Sequence, residues 1–283
     1  MSKESRTLAL PGVLALEFTG TRPLELGTCL ARAMTTPLID AVVPGALPIS
    51  DAALPSSFVN VLDDVRMELA VSESASNLSV RTTPRNAKSY GNGLPAVKLL
   101  LSLAVRHAQL RGNVVALLHG AMLALPDDDA SCALLFGPSG MGKSSAASRF
   151  AAQGGKVDAD DLILLYGKSP NRFFARPLPT WSRFPRGKSQ SAATEREVKA
   201  LLSLQRGVND VIVEAQNPAA WQLALFQALA FHAYMSTYRR EFQARSAEFL
   251  LDFAAALRQR YGAFELLGDL NGRIRDTLGA IKG

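Results

Sequence analysis

At 283 residues, 48% hydrophobic and 20% charged, the chain can bury a full core, either as one large domain or as a core with an accessory unit. Cys29 and Cys132 form no metal-ligand cluster and read as ordinary thiols of a reducing cytoplasm, with one disulfide between them left open. No stretch approaches the ~18 uninterrupted apolar residues of a membrane span, and the start, MSKESRTLALPG, lacks the apolar block of a secretion signal. The expectation is a soluble, cytoplasmic protein without a membrane partner. The net charge of +6 fits a solvated basic surface or attraction to an anionic ligand, a nucleotide or an acidic peptide. The basic residues are scattered, without a recognition helix or an aromatic–glycine RNA signature, which argues against nucleic acid.

Early in the chain, LALEF (Leu14 to Phe18) reads as a strand, and beyond it Pro37, Pro44, Gly45, Pro48 and Pro55 interrupt any regular element. Met67, Leu69 and Val71 then alternate with Arg66, Glu68 and Ala70, and Leu78 and Val80 repeat the pattern. Arg66 to Thr82 therefore reads as a hairpin. These elements predict a small β-rich accessory unit over residues 1–92. Thr82 to Pro95 (TTPRNAKSYGNGLP) reads as a linker or loop.

A larger α/β (α+β) domain is expected over residues 93–283. Pro95 opens a predicted helix in which Val97, Leu100, Leu101, Ala104 and Ala108 recur at helical spacing up to Arg111-Gly112. Strands come next: VVALLHGAMLAL, a turn at Pro126 to Asp129, and SCALLF. LILLY and RFFA bracket the turn Gly167 to Asn171. EREVKALLSL reads as a short helix, VIVEA as a buried strand, and the chain from Ala219 as almost wholly helical, with Phe242, Phe249, Phe253 and Leu257 on one face.

Gly137-Pro138-Ser139-Gly140-Met141-Gly142-Lys143-Ser144 matches the Walker A pattern in full, between an apolar strand and the helical SSAASRFAA. Glycines let the backbone turn its N–H groups inward around a phosphate, and a helix N-terminus adds a favourable dipole. Lys143 is placed to bridge the β- and γ-phosphates of ATP, with Ser144 ligating Mg²⁺ and Ser145 following on the helix. A guanine-reading N-K-x-D, an L-S-G-G-Q signature and an apolar run ending in Asp-Glu are all absent, which argues against the common GTPase and transporter-ATPase readings. Instead Asp158, Asp160 and Asp161 crowd just before LILLY. One such carboxylate can hold Mg²⁺ while another accepts a proton from an attacking hydroxyl. The bland alternative is a solvated acidic turn, which is also the reading of Asp127, Asp128 and Asp129.

The run from Leu118 to Leu165, HGAMLAL…CALLFGPSGMGKSSAASRFAAQGGKVDADDLILL, resembles the core of HPr kinase/phosphorylase. That resemblance implies a fold like that of phosphoenolpyruvate carboxykinase. It puts His119 on the histidine near the phosphates, Asp160 on the proton-accepting aspartate and Asp161 on its acidic partner near the metal. Arg176 to Phe184 (RPLPTWSRF) resembles a segment of HPr kinase-related proteins from peptide natural-product clusters, including the lasso-peptide kinases, which phosphorylate a serine of a ribosomally made (RiPP) precursor peptide. The resemblance implies that Arg176 and Arg183 clamp a phosphate or peptide carboxylate and that Trp181 forms an apolar wall, unless Trp181 is simple core packing. Two departures count against the reverse, phosphorolytic reaction: Ser145 stands where the family has Glu, and the associated downstream loop is missing. The expected activity is transfer of the ATP γ-phosphoryl group to a serine hydroxyl of a precursor peptide. The alternatives are a small-molecule hydroxyl kinase or a nucleotide-gated binding protein without transfer. Homo-oligomerisation is typical of the resembled family and is not legible in these residues; Trp221 and Tyr234 on the helical C-terminus suit either subunit contacts or core.

Overall fold

The computed structural model describes strands at residues 4–10, 14–20, 46–49, 59–62, 67–73 and 78–84, the positions 105 and 109, and residues 114–169, 171–178, 195–233, 240–269 and 272–281. The chain divides into two compact units, Met1–Asn113 and Val114–Gly283. In the first, β1 (Glu4–Leu10), β2 (Leu14–Gly20) and β3 (Ala46–Ile49) form one three-stranded sheet, and β4 (Val59–Leu62), β5 (Met67–Glu73) and β6 (Leu78–Pro84) form another. The predicted hairpin is the antiparallel pair β5–β6, with Leu69 opposite Thr82 and Val71 opposite Val80. Thr82 ends the hairpin as expected, whereas Thr83 and Pro84, expected in the linker, instead continue β6. Their partners are Glu68 and Met67, and Pro84 sits at the strand's last position, where its missing N–H costs least. The rest of that linker and most of the helix expected after Pro95 lie outside the described residues; Val105 and Gln109 are helical.

The second unit is mixed α/β. Its elements are β7 (Val115–Leu125), β8 (Asp128–Phe136), α1 (Lys143–Ala152), β9 (Val157–Ala159), β10 (Leu162–Ser169), β11 (Arg172–Pro177), β12 (Arg196–Arg206), β13 (Val211–Glu214), α2 (Pro218–Ala233), α3 (Arg240–Tyr261), β14 (Phe264–Gly268) and α4 (Ile274–Gly279). Eight strands form one sheet in the order β11-β10-β7-β8-β12-β14-β13, with β9 also on β7. β8, β12 and β14 run parallel, whereas β7, β10 and β11 are antiparallel to their neighbours.

Both faces of this sheet are covered, which is why its central strands read as continuous apolar runs. On β8, Cys132, Leu134 and Phe136 pack toward Trp221 and Leu225 of α2 and Phe253 and Leu257 of α3. The alternate residues Ala133 and Leu135 pack toward Ala146, Ala147 and Phe150 of α1 and Ile274 and Leu278 of α4. Asn217 caps α2, its Oδ1 accepting from the Ala220 amide at 3.1 Å, and Pro218 fills the first helical position, where no N–H is needed. Trp221 is core: it is buried, its indole N–H donates to the Phe264 carbonyl at 2.8 Å, and its ring meets Phe136 edge-on at 5.1 Å. Burying a side chain of this size contributes on the order of 3 kcal/mol. Tyr234 lies outside the described residues.

Three expectations fail here. EREVKALLSL is strand β12, not a helix. Its register on β8 shifts between Val198 and Ala200, so the apolar residues switch faces: Val198 and Leu201 enter one core, Leu202 and Leu204 the other. A bulge thus turns period two into the spacing i, i+3, i+4, which imitates a helix. The C-terminal region contains β14, which inserts between β12 and β13 after Gly262 ends α3 in a left-handed conformation (φ +75°). VIVEA is a half-exposed edge strand, β13, paired with β14 alone, rather than a buried one.

The N-terminal end of β12 also pairs with β11, Phe174 opposite Glu197 and Ala175 opposite Arg196, closing the strands into a ring at that end. Charged side chains fasten the seam. Glu195 accepts from Lys168 Nζ at 2.6 Å, from Arg176 Nη2 at 2.9 Å and from the Tyr166 hydroxyl, and Arg176 Nε donates to that hydroxyl at 2.9 Å. Burial raises the Glu195 carboxyl, but the hydrogen bonds from Lys168, Tyr166 and Arg176 outweigh it and hold the pKa down to about 2. Deeper in, the Arg196 guanidinium clasps Asp158, with Nη2 donating to Oδ1 at 3.3 Å; both side chains are buried.

Because the folded pKa of Glu195 lies below its ordinary value of 4.5, its stabilisation is fully present above pH 4.5 and is lost as pH falls toward 2. The Glu195→Gln protein is expected to show a shallower fall of its urea midpoint across that window than the wild type. Removing one partner of the inner pair strands a buried charge, so Asp158→Ala should destabilise the protein by about 3–5 kcal/mol in urea unfolding. The double change Asp158→Leu with Arg196→Met should recover much of that loss.

Candidate functional site

β8 ends at Phe136 and the chain turns into α1 through Gly137 to Gly142. Gly137, Gly140 and Gly142 have φ of 144°, 81° and 100°, the region that L side chains rarely adopt. A Cβ added at Gly140 or Gly142 would meet nothing within 4 Å, so the space beside the loop is open. Lys143 turns back into this loop: its ammonium donates to the carbonyls of Gly137 at 2.8 Å and Pro138 at 3.0 Å. Its burial lowers the pKa, and the Asp161 carboxylate partly offsets this, so Asp161 lies within electrostatic reach of the ammonium. Pro138, Ser139 and Gly140 are exposed at the loop's crest, Met141 and Ser144 are half-buried, and Ser145 faces solvent.

The acids reach the same place through β7. Ala159 and Val157 of β9 pair with Met122 and Leu123, and Leu162 of β10 pairs with His119. Asp160 and Asp161 fill the break between the two strands, beside Gly120, whose amide donates to the Asp161 carbonyl at 3.1 Å. On its other side Gly120 is opposite Phe136, the residue before the glycine loop. A Cβ at Gly120 would lie 2.5 Å from the Leu135 carbonyl oxygen, so only glycine lets the strands close this tightly.

The three acids that look alike in the sequence are separated by their partners. Asp158 is neutralised by Arg196. Asp161 stands 3.7 Å from His119 Nε2, and the His119 imidazole stacks on Phe231 at 4.2 Å. Asp160 is 5% exposed, and its Oδ1 is buried without a hydrogen-bond partner. Such an atom costs on the order of 1–3 kcal/mol or more when charged, a cost that a donor arriving there would offset. Among the described residues no group of three or more His, Cys, Asp or Glu forms a ready-made metal site. Ser144 and Asp161 could hold a Mg²⁺ ion only with further oxygens from a substrate, the usual arrangement for that ion.

β7 thus brings His119 and the segment Asp160-Asp161 next to the strand that leads into the loop, and Asp161 acts on the Lys143 ammonium. Arg176 is not brought to it by any bond seen here, since its guanidinium is committed to Tyr166 and Glu195. Trp181 and Arg183 lie outside the described residues. Sequence reasoning missed Phe231 and a cavity of about 550 Å³ on the opposite flank of β8. Its walls come from α1 and from the ends of β12 and β14, the strands misread as helix. The glycines that follow their apolar runs, Gly207 and Gly268, were the available signal.

No curated protein matches the chain. Among solved structures it is similar to the Hpr(Ser) kinase/phosphatase from Coxiella burnetii, at 18% identity and a TM-score of 0.24, covering 32% of this chain and 65% of that one. The chain thus spans less than two thirds of that structure's length. No described helix is long and apolar enough to cross a membrane. Residues 91–281, which include the whole glycine loop and the acidic segment, match the family model described as SynChlorMet cassette protein ScmC. The chain belongs to the family of the SynChlorMet cassette protein ScmC.

Proposed function

We propose that this protein is an ATP-dependent phosphotransferase of the HPr kinase type, acting on a serine hydroxyl of a ribosomally made precursor peptide such as a lasso-peptide precursor. The observation that carries the reading is the buried, unpartnered Asp160 Oδ1, in the segment that Gly120 joins to the strand leading into a glycine loop whose lysine is already turned inward. ATP with Mg²⁺ supplies the phosphoryl group and the metal's positive charge.

The chain's own residues supply the rest. The N–H groups of the Gly137 to Ser144 loop and the α1 N-terminus receive phosphate oxygens, and the Lys143 ammonium neutralises their charge. Ser144 and Asp161 are the metal ligands in this reading. Asp160 takes the proton of the attacking hydroxyl as the new oxygen–phosphorus bond forms and the bond to the leaving diphosphate oxygen breaks. The imidazole of His119, held between Phe231 and Asp161, borders the transferring group. The N-terminal unit is proposed as an accessory to this domain, and the protein as cytoplasmic.

Incubating the protein with radiolabelled ATP, Mg²⁺ and serine-containing precursor peptides is expected to label the peptide. Asp160→Asn should lower the transfer rate by about 10²–10⁴-fold, the usual contribution of a general base, while ATP binding persists. Lys143→Ala should weaken ATP binding itself, read by calorimetry. Equal rates for wild type and Asp160→Asn would remove Asp160 from the role of base. Label on free serine or a sugar but on no peptide would favour a small-molecule kinase. Tight ATP binding without transfer to any acceptor would leave a nucleotide-gated binding protein.

A further inference from the structure

Leu225, Ala228, Leu229 and Ala230 seat α2 on β7, buried in one core with Ala116 and Leu118 of that strand. Phe231 is the next residue of the helix, yet 49% of it is exposed. A single exposed apolar side chain needs no explanation. What singles this ring out is its neighbour. It stacks on the His119 imidazole, with centroids 4.2 Å apart and planes 26° from parallel.

His119 sits at a junction of the backbone. It pairs with Leu162, the residue after Asp161, and adjoins Gly120, which pairs with Phe136 at the entrance to the glycine loop. The sheet thus fixes the position of its Cα and leaves the ring plane to contacts of the ring itself. The torsion that turns an imidazole about its Cβ–Cγ bond is broad. Nε2 lies 3.7 Å from Asp161 Oδ1, longer than a hydrogen bond, so this attraction guides the ring without fixing its plane. A flat ring packed against the imidazole face restricts that plane, because rotation would break the contact. The imidazole is therefore held by the sheet through its backbone and by α2 across its face.

We infer that Phe231 is a positioning residue for the proposed transfer: by stacking on His119, it holds the imidazole edge toward Asp161 and the phosphoryl group. The inference rests on the proposed kinase activity and adds to it a residue of α2 that acts through His119. A group displaced by about 1 Å near reacting atoms can cost about 10²-fold in rate.

The test separates rate from binding. Phe231→Leu keeps apolar bulk and removes the flat face, whereas Phe231→Tyr keeps both. Single-turnover transfer from saturating ATP with Mg²⁺ to the acceptor that the wild type labels is compared with ATP affinity from calorimetry. Phe231→Leu is expected to slow transfer at least about tenfold at unchanged ATP affinity, and Phe231→Tyr to stay near the wild-type rate. Because Phe231 acts through His119, Phe231→Leu combined with His119→Ala should be no slower than His119→Ala alone. The inference is overturned, with the kinase reading intact, by an unslowed Phe231→Leu, by equal slowing in Phe231→Tyr, by slowing that persists without His119, or by lost ATP affinity. A wild type that labels no acceptor overturns the kinase reading and this inference with it. Should Phe231→Leu fail to fold, proton NMR of the wild type decides, with His119 told apart from His107 and His232 through His119→Gln. A nuclear Overhauser effect between the His119 and Phe231 rings supports the inference, and its absence refutes it.

Discussion

A strand hydrogen-bonded on both sides holds its two neighbours at a fixed spacing, and β7 does this for the glycine loop and the acids. On one side it pairs with β8, which runs straight into the glycine loop; on the other it pairs with β9 and β10, which leave Asp160 and Asp161 in the gap between them. The contact is closest at Gly120, where a single methyl group would press on the Leu135 carbonyl oxygen. The distance from loop to acids is therefore determined by backbone pairing, and backbone pairing in a sheet covered on both faces is stiff. In the proposed transfer, such a frame would hold the proton acceptor in place relative to the phosphate.

Around that frame the charges are sorted by the company they keep. Asp158 and Arg196 are buried together and neutralise each other. Glu195 collects three donors at the seam between β10, β11 and β12, and its carboxyl is held strongly acidic in consequence. Asp160 alone among the described buried side-chain polar atoms has an oxygen with no partner. Charges that hold the fold are satisfied within it. A buried oxygen left unsatisfied raises the energy of the folded chain and lowers that of any complex that supplies a donor, which is how stored cost at a site becomes binding or catalysis.

Lys143 shows the same logic on the opposite sign. Its ammonium is buried by the loop that it caps, and two carbonyls substitute for the water it has lost. Burial lowers its pKa, and the Asp161 carboxylate makes up part of the difference. An anion arriving in the open space beside Gly140 and Gly142 would complete it.

The amino-acid sequence by itself determined the glycine loop, because glycines at 137, 140 and 142 readily take backbone angles that other residues rarely adopt. It also determined the apolar strands on either side, the β5–β6 hairpin and the candidacy of the acidic segment, since all of these are local in the chain. Tertiary structure alone decided which aspartate was left unpartnered, because the partner of Asp158 is Arg196, a residue far along the chain on a strand that the periodicity disguised as a helix. That disguise came from one bulge, which changed the spacing of Val198, Leu201 and Leu202 without changing their burial. It was tertiary structure, too, that tied Arg176 to the seam and opened a cavity between α1 and the ends of β12 and β14. Such features are sums over distant segments, and nothing in the spacing of neighbouring residues records them.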